Sequence, residues 1–355
     1  MMTALNNQFD EAKQRLGTLK SDPGNAAKLK LYALFKQATV GQCNVSKPKM
    51  FDIVGKAKWD AWNALGSMTK EQAQEQYIGT VNELVAPEAA VSDSVQHGKY
   101  ETLDVIKEGK VTSIVFNRPT KKNAITVKMY NEIIQSLEEA AKDDTVITLF
   151  TGAGDFYCSG NDLNNFSDAV SQGVEKAAKD GAVLLNKFVS SFIDFPKPLI
   201  GLVNGPAIGV SVTVLGLFDL VYASDKATFH TPFSALGQSP EGCASYTFPK
   251  LMGAAKANEM LMFNRKITAK EACDRGLVSE VFPDHVFRAE TKRRVEEMSR
   301  CPLKSLQYAK QTNRQLENDI LHKVNDKECE NLVERWQSDD CMNAIATFFS
   351  QKSNL

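Results

Sequence analysis

The hydrophobic period changes once along this chain, and that change limits what the chain can fold into. Up to about residue 85 the apolar positions recur at helical spacing: Phe9, Ala12, Leu16 and Leu19, then Ala73, Tyr77, Val81 and Leu84. Pro23-Gly24-Asn25 and Lys47-Pro48 break the pattern between them, and no alternating strand pattern appears. Further on, short apolar runs rich in β-branched residues take over: Val111–Phe116, Val146–Thr151, Leu199–Val203 and Leu220–Ala223. Longer helical segments, such as Lys128–Lys142 and Val174–Phe192, separate these runs. Strands alternating with helices predict an α/β domain with parallel pairing. From about Ala254 the chain is helical and charged. The expected organisation is therefore multidomain: a small all-α bundle over 1–86, a linker over 87–98 without periodicity or large aromatics, and an α/β domain over 99–355.

The length, 355 residues, suits two domains with ample core. Lys and Arg number 42 against 43 Asp and Glu, so no excess of positive charge is available to hold a nucleic-acid backbone. Charge is uneven along the chain, with 11 basic against 8 acidic residues in 1–86. The seven cysteines are scattered, odd in number and without a C-x-x-C pair, which fits a reducing compartment better than a disulfide framework. Four histidines without an H-x-x-x-H pattern give no zinc signature. Residues 198–218 carry no charge, but Asn204-Gly205-Pro206 interrupts them, so a strand, a turn and a buried helix are expected rather than a membrane span. The first residues show neither an apolar signal core nor an Arg/Ser-rich transit peptide.

Two strings in the first domain are specific. Tyr32-Ala33-Leu34-Phe35-Lys36-Gln37 and Lys56-Ala57-Lys58-Trp59-Asp60-Ala61-Trp62 resemble the acyl-CoA-binding protein family, and the resemblance runs over nearly all of residues 4–85. It implies a four-helix bundle that holds a fatty acyl-CoA through Tyr32, Phe35, Lys36, Lys58 and Tyr77. Phe35 departs from the family's usual Tyr, which keeps the ring and loses the phenol. The chemistry is sensible in its own right. Lysines supply point charges for CoA phosphates and aromatic faces can stack on adenine. Tyr32 and Lys36, four apart, share one helix face. Without the family match, a solvated basic face over ordinary core tyrosines is the blander reading.

In the second domain, Asn117-Arg118-Pro119, Lys122-Asn123-Ala124, Ser159-Gly160-Asn161-Asp162-Leu163 and Pro196-Lys197-Pro198 running into Asn204-Gly205-Pro206-Ala207-Ile208-Gly209 resemble the crotonase (enoyl-CoA hydratase/isomerase) superfamily. Together with an acyl-CoA-binding domain, this is most similar to Δ3,Δ2-enoyl-CoA isomerases of the peroxisomal type. The resemblance implies a crotonase-like spiral of ββα units, a homotrimer, a CoA thioester as substrate and no separate cofactor. The residues give a parallel argument. Asn204-Gly205-Pro206 ends a strand and opens an apolar helix, whose start presents unpaired N–H groups. The Ser159–Leu163 turn presents another. Two such donors aimed at one point form an oxyanion hole, and the backbone N–H groups of Asn161 and Val210 are the candidates by position. Ser159, Gly160, Asp162 and Leu163 complete the expected substrate-binding turn. A dinucleotide fingerprint fails at Gly152-Ala153-Gly154, because Tyr157 stands at the third glycine position.

The acid–base groups select the reaction. Hydratases of the superfamily set two glutamates against a water, and the matching positions here are Thr213 and Phe233. Glu241 falls where isomerases of this type carry a single catalytic glutamate. One base suffices for a 1,3-proton shift from C2 to C4, and an apolar pocket would raise its pKa for that task. Taken alone, Glu241 reads as a surface loop glutamate near a helix start. Cys158 and Cys243 flank the site but no histidine is marked as their base; His230 reads as structural, and Trp336 as packing on a neighbour or, second, shaping the acyl pocket. Lys121 and Lys122 have the charge to help hold CoA phosphates, though exposed turn lysines are common.

The leading reading is thus conversion of 3-cis/trans-enoyl-CoA to 2-trans-enoyl-CoA in β-oxidation of unsaturated fatty acids. A non-catalytic acyl-CoA carrier and a hydratase or thioesterase are the alternatives. The chain ends Ser353-Asn354-Leu355, close to the Ser-Lys-Leu address read by a peroxisomal import receptor, with Asn354 replacing the basic residue. The peroxisome matrix is the expected location, and the mitochondrion the second.

Overall fold

The computed structural model describes residues 2–17, 24–48, 52–85, 98–165 and 173–353. Of the expected linker only Gly98 lies among them, and Leu19 and Pro23 lie outside them as well. The chain divides into two compact units, Met1–Val91 and Ser92–Leu355.

The first unit is helical throughout its described elements: α1 (Met2–Leu16), α2 (Gly24–Thr39), α3 (Ile53–Asn63) and α4 (Lys70–Val85). Asp52 starts α3 by accepting the Gly55 N–H at 2.8 Å. The apolar positions spaced three and four apart meet in one core of Phe9, Ala12, Leu31, Leu34, Ala73, Tyr77 and Val81. Trp62 is buried in a polar socket: its indole N–H is shared between Gln37 Oε1 at 3.1 Å and the Gly41 carbonyl at 3.0 Å. Gln37 donates in turn to the Met68 carbonyl at 2.6 Å, which ties α2 to the loop before α4.

The second unit begins with a hairpin, β1 (Leu103–Glu108) and β2 (Val111–Phe116), followed by α5 (Val127–Ala140), β3 (Ile147–Gly152), α6 (Val174–Ile193) and β4 (Leu199–Val203). Next come β5 (Ala207–Ile208), a single-turn α7 (Val210–Thr213), β6 (Leu220–Ser224), β7 (Thr228–His230), α8 (Ala244–Met252) and α9 (Ala254–Leu261). β8 (Ile267–Thr268), α10 (Ala269–Asp274), β9 (Glu280–Phe282), α11 (Asp284–Met298), α12 (Leu303–Arg314), α13 (Asn318–Trp336) and α14 (Asp339–Ser353) complete it. Among the described residues the main sheet runs β1-β2-β3-β4-β6-β9, antiparallel at β1/β2 and parallel thereafter. A smaller sheet, β5-β7-β8, stands apart from it.

The parallel strands are covered on both faces, which is why they read as continuous apolar runs. Phe150 packs with Phe116, Phe192 and Phe218 in the larger core. Ile147 and Leu149, on the opposite face, meet Tyr222, Phe282 and Phe287 in the second. The uncharged stretch 198–218 resolves into β4, β5, α7 and the turn beyond it, and among the described residues no helix is long and apolar enough to cross a membrane. The sequence reading placed the helix start at Pro206. The structure moves it to Val210, because Ala207 and Ile208 first pair with Phe229 and His230.

Candidate active site

The loops leaving β3 and β4 are clamped to each other by one side chain. Asn204 accepts the Gly152 N–H at 3.0 Å and donates to the Gly154 carbonyl at 2.9 Å. Beyond the clamp the two loops run parallel: Cys158 N–H donates to the Pro206 carbonyl at 3.3 Å and Ile208 N–H to the Cys158 carbonyl at 3.0 Å. Gly160 then presses onto the Ile208–Gly209 backbone. It has φ +79°, and a Cβ there would stand 2.4 Å from the Ile208 carbonyl oxygen, so only glycine fits. This approach brings the Gly160–Asn161 turn against the start of α7.

Both candidate donors are left over by this arrangement. Ile125 forms an isolated parallel bridge with Asn161, its N–H donating to the Gly160 carbonyl at 2.8 Å and its carbonyl accepting Asp162 N–H at 2.9 Å. In a parallel bridge the bracketed residue's own N–H points the other way. Asn161 N–H therefore faces away from Ile125, and among the described residues it has no hydrogen-bond acceptor. Val210, the first residue of α7, has none either, as expected for a helix start. α7 is a single turn, so it contributes this N–H more than a dipole.

Glu241 is carried by the loop that reaches over α7. Gly242, with φ +71°, lies so close that a Cβ would meet Thr213 Oγ1 at 2.4 Å. The Glu241 side chain is buried and lines a cavity of about 620 Å³, whose wall also includes Asn161, Tyr130, Leu185, Gln238 and Trp336. Burial, and next the charge of Glu328, push its pKa up to about 8. Three carboxylates line this cavity. Asp162 pairs with Arg118 at 3.1 Å, and Asp180 is held at the surface by Lys176 at 2.7 Å. Glu241 has no hydrogen bond or ion pair on its carboxylate among the described residues.

The other expected residues are distributed as follows. Asn161 and Asp162 are on the cavity wall; Ser159, Gly160 and Leu163 are not, and Gly160 acts through backbone contact instead. Val210, Thr213 and Phe233 are buried and are not on the cavity wall. Burial raises both Cys158, to about 12, and Cys243, which opposes a thiolate nucleophile. His230 Nε2 pairs with the Asn264 carbonyl at 3.0 Å, a structural role. Trp336 does both things read for it from the sequence: it packs against the core, its ring against Gly181 of α6, and it forms part of the cavity wall. Lys122 lies over the Phe156 ring at 5.1 Å. In the first unit Lys58 lies over the Tyr32 ring at 5.1 Å and Phe35 neighbours Tyr77 at 6.4 Å, while Lys36 sits over Trp62 at 4.9 Å.

Sequence reasoning missed Tyr130, Gln238 and Met342 on the wall and Glu328 behind it. Tyr130 and Met342 sit in ordinary amphipathic helices, α5 and α14. Only the meeting of distant segments makes them part of a site.

The family model for enoyl-CoA hydratase/isomerase matches residues 106–354, and that for acyl CoA binding protein matches residues 6–81. The chain is 55% identical to enoyl-CoA delta isomerase 2 of Homo sapiens, over all of this chain and 91% of that protein. It is 45% identical to the peroxisomal enoyl-CoA delta isomerase 3 of Mus musculus, over 86% of this chain and 98% of the other. A solved enoyl-CoA hydratase/isomerase from Pseudoalteromonas atlantica T6c superposes with a TM-score of 0.64 at 29% identity, covering 71% of this chain and 98% of that one.

Proposed function

The chain belongs to the enoyl-CoA hydratase/isomerase family, with an acyl-CoA-binding module ahead of that domain, and on this premise we propose that it is an enoyl-CoA isomerase that uses Glu241 as its one proton carrier. The observation that carries the reading is a buried carboxylate without a protein partner, sharing a cavity with Asn161. Glu241, ionised, removes a proton from C2 of a 3-enoyl-CoA. The electron pair moves onto the thioester oxygen, where the N–H groups of Asn161 and Val210 stabilise the dienolate. Glu241, now protonated, returns the proton to C4, and the double bond ends between C2 and C3. A pKa near working pH suits a group that must both take and give the proton. A hydratase needs a second carboxylate to activate water, and Asp162 is committed to Arg118. The reaction serves β-oxidation of unsaturated acyl chains. Incubation with cis-3-octenoyl-CoA should give a rise in conjugated 2-enoyl absorbance; intact acyl-CoA binding without that rise would favour the carrier reading instead.

The first unit, in this reading, holds acyl-CoA independently of turnover. The Lys58–Tyr32 pair offers a cation beside an aromatic face, suited to a phosphate next to a stacked adenine. Lys58→Ala in the full chain should weaken one class of acyl-CoA site by about ten- to a hundredfold, the worth of a charged hydrogen bond. Turnover at saturating substrate should stay within about twofold of the parent. Calorimetric titration and a steady-state assay measure the two, and unchanged binding would remove Lys58 from the ligand site.

We also propose a peroxisomal location. Its support is the similarity to the peroxisomal mouse relative and the Ser353-Asn354-Leu355 terminus, of which Asn354 and Leu355 lie outside the described residues. An N-terminally tagged chain should colocalise with a peroxisomal marker and lose it when residues 353–355 are removed. A mitochondrial or cytosolic pattern from the intact chain, unchanged by Asn354→Lys, would overturn it.

A further inference from the structure

Two residues beyond Glu241 the chain does something costly. Gly242 and Cys243 are both left-handed, at φ +71° and +62°, and Cys243 is not a glycine. A side chain holds such a conformation only where its surroundings over-determine it. Here a carboxylate from a distant helix supplies the restraint. Glu328 of α13 accepts Cys243 N–H on Oε2 at 2.7 Å, and on Oε1 it accepts Ser245 N–H at 2.9 Å and the Ser245 hydroxyl at 2.5 Å. Between these two donors, Ala244 N–H goes to the carbonyl of Glu241 itself at 3.2 Å. α13 is in turn fastened to the cavity wall. One turn before Glu328, Asn325 donates to the Asn186 carbonyl at 3.0 Å and to Ser190 Oγ at 3.2 Å, both on α6.

We propose that Glu328 is a positioning residue for the isomerisation: by taking up the donors at Cys243 and Ser245 it locks the Gly242–Cys243 turn and so aims the Glu241 carboxylate into the cavity. The inference rests on Glu241 being the proton carrier. Glu328 is not on the cavity wall, and its oxygens are spent on the turn. Its burial without a cation is otherwise unexplained, since an apolar residue of that volume would pack there without desolvating a charge.

The charge has a second consequence. The titratable groups around Glu241 are Glu328 on α13, Tyr130 on α5 and the Cys329 thiol, also on α13. Burial raises Tyr130 and Cys329, so both stay neutral at ordinary pH. Burial also raises Glu328, while its bonds from Ser245 and Cys243 favour its charged form. Glu328 is thus the neighbour whose charge opposes ionisation of Glu241. Removing that charge makes Glu241 ionise at lower pH.

The test uses the full chain with Glu328→Ala, Glu328→Gln and Glu241→Gln side by side, assayed with a 3-enoyl-CoA across pH. Glu328→Ala should lower kcat about a hundredfold, as for a small displacement of a catalytic group, with KM within about twofold. Glu328→Gln keeps the shape and one acceptor for Ser245, and should recover about tenfold of that loss. In Glu328→Gln the acid limb of kcat/KM should also move to lower pH, which loss of packing alone would not cause. Should Glu328→Ala not fold, Glu328→Gln decides. A folded Glu328→Gln with parental kcat and an unmoved acid limb overturns the proposal while Glu241→Gln remains inactive. Turnover by Glu241→Gln would instead overturn the assignment of Glu241 on which it rests.

Discussion

Glu241→Gln should abolish most isomerase turnover while leaving acyl-CoA affinity intact. The amide matches the shape of the carboxylate but can neither accept the C2 proton nor carry it to C4. Removing a positioned general base costs about 10²–10⁴-fold, and the upper end is expected where no other group on the wall can substitute. Asp162 and Asp180 cannot, because one is bound to Arg118 and the other lies at the surface with Lys176. The pH profile provides an independent check. Glu241 must be ionised to act as the base, and its pKa is raised to about 8. The parent's kcat/KM should therefore rise with pH, tenfold per unit below that value for a single titrating proton, and level above it. Residual activity in Glu241→Gln should lack this limb. Turnover by the variant close to that of the parent would remove Glu241 from the mechanism.

Gly160→Ala should lower kcat by about 10²–10³-fold, the cost of losing one oxyanion donor. The added methyl would meet the Ile208 carbonyl oxygen at 2.4 Å, at a φ of +79° that an alanine resists. Either the turn withdraws or Ile208 does, and in both cases Asn161 N–H shifts relative to Val210 N–H, the pair proposed to hold the thioester oxygen. The thermal midpoint should fall by several degrees as well, on the order of the 1–3 kcal/mol such strain costs. KM should move less than kcat, because the donors bind the dienolate more strongly than the ground-state thioester. A variant with parental kcat would show that the Gly160–Ile208 contact does not set the donor geometry.

Much of this protein is legible in the order of its residues. The switch from a 3.6-residue period to β-branched runs separates the two units, because helices and buried parallel strands demand different spacing of apolar side chains. Phe9, Ala73, Tyr77 and Val81 are all buried as their spacing requires. The strands at Val111, Leu199 and Leu220 begin where the apolar runs begin, and the one at Val146 starts a single residue later. Asn161 and Glu241 could be named because a turn glycine and an isolated loop glutamate carry short-range signals that match a family pattern.

What the linear order could not decide is everything that depends on distant segments meeting. β1 gives little signal because Asp104, Lys107 and Glu108 make up half of Leu103–Glu108, and only pairing with Val111–Phe116 makes it a strand. β5 was missed because two residues carry no period; its pairing with β7 delays the helix to Val210 and so decides which N–H is left free. Trp336 and Met342 become cavity wall only when the C-terminal helices return to the site. Glu328, more than eighty residues beyond the loop it caps, reads in sequence as one more charge on an ordinary helix. The elements follow from local chemistry, whose signals span a few residues. The meeting of Asn161 and Glu241 on one cavity wall, and the raised pKa of Glu241, follow from burial, which exists only once the whole chain has packed.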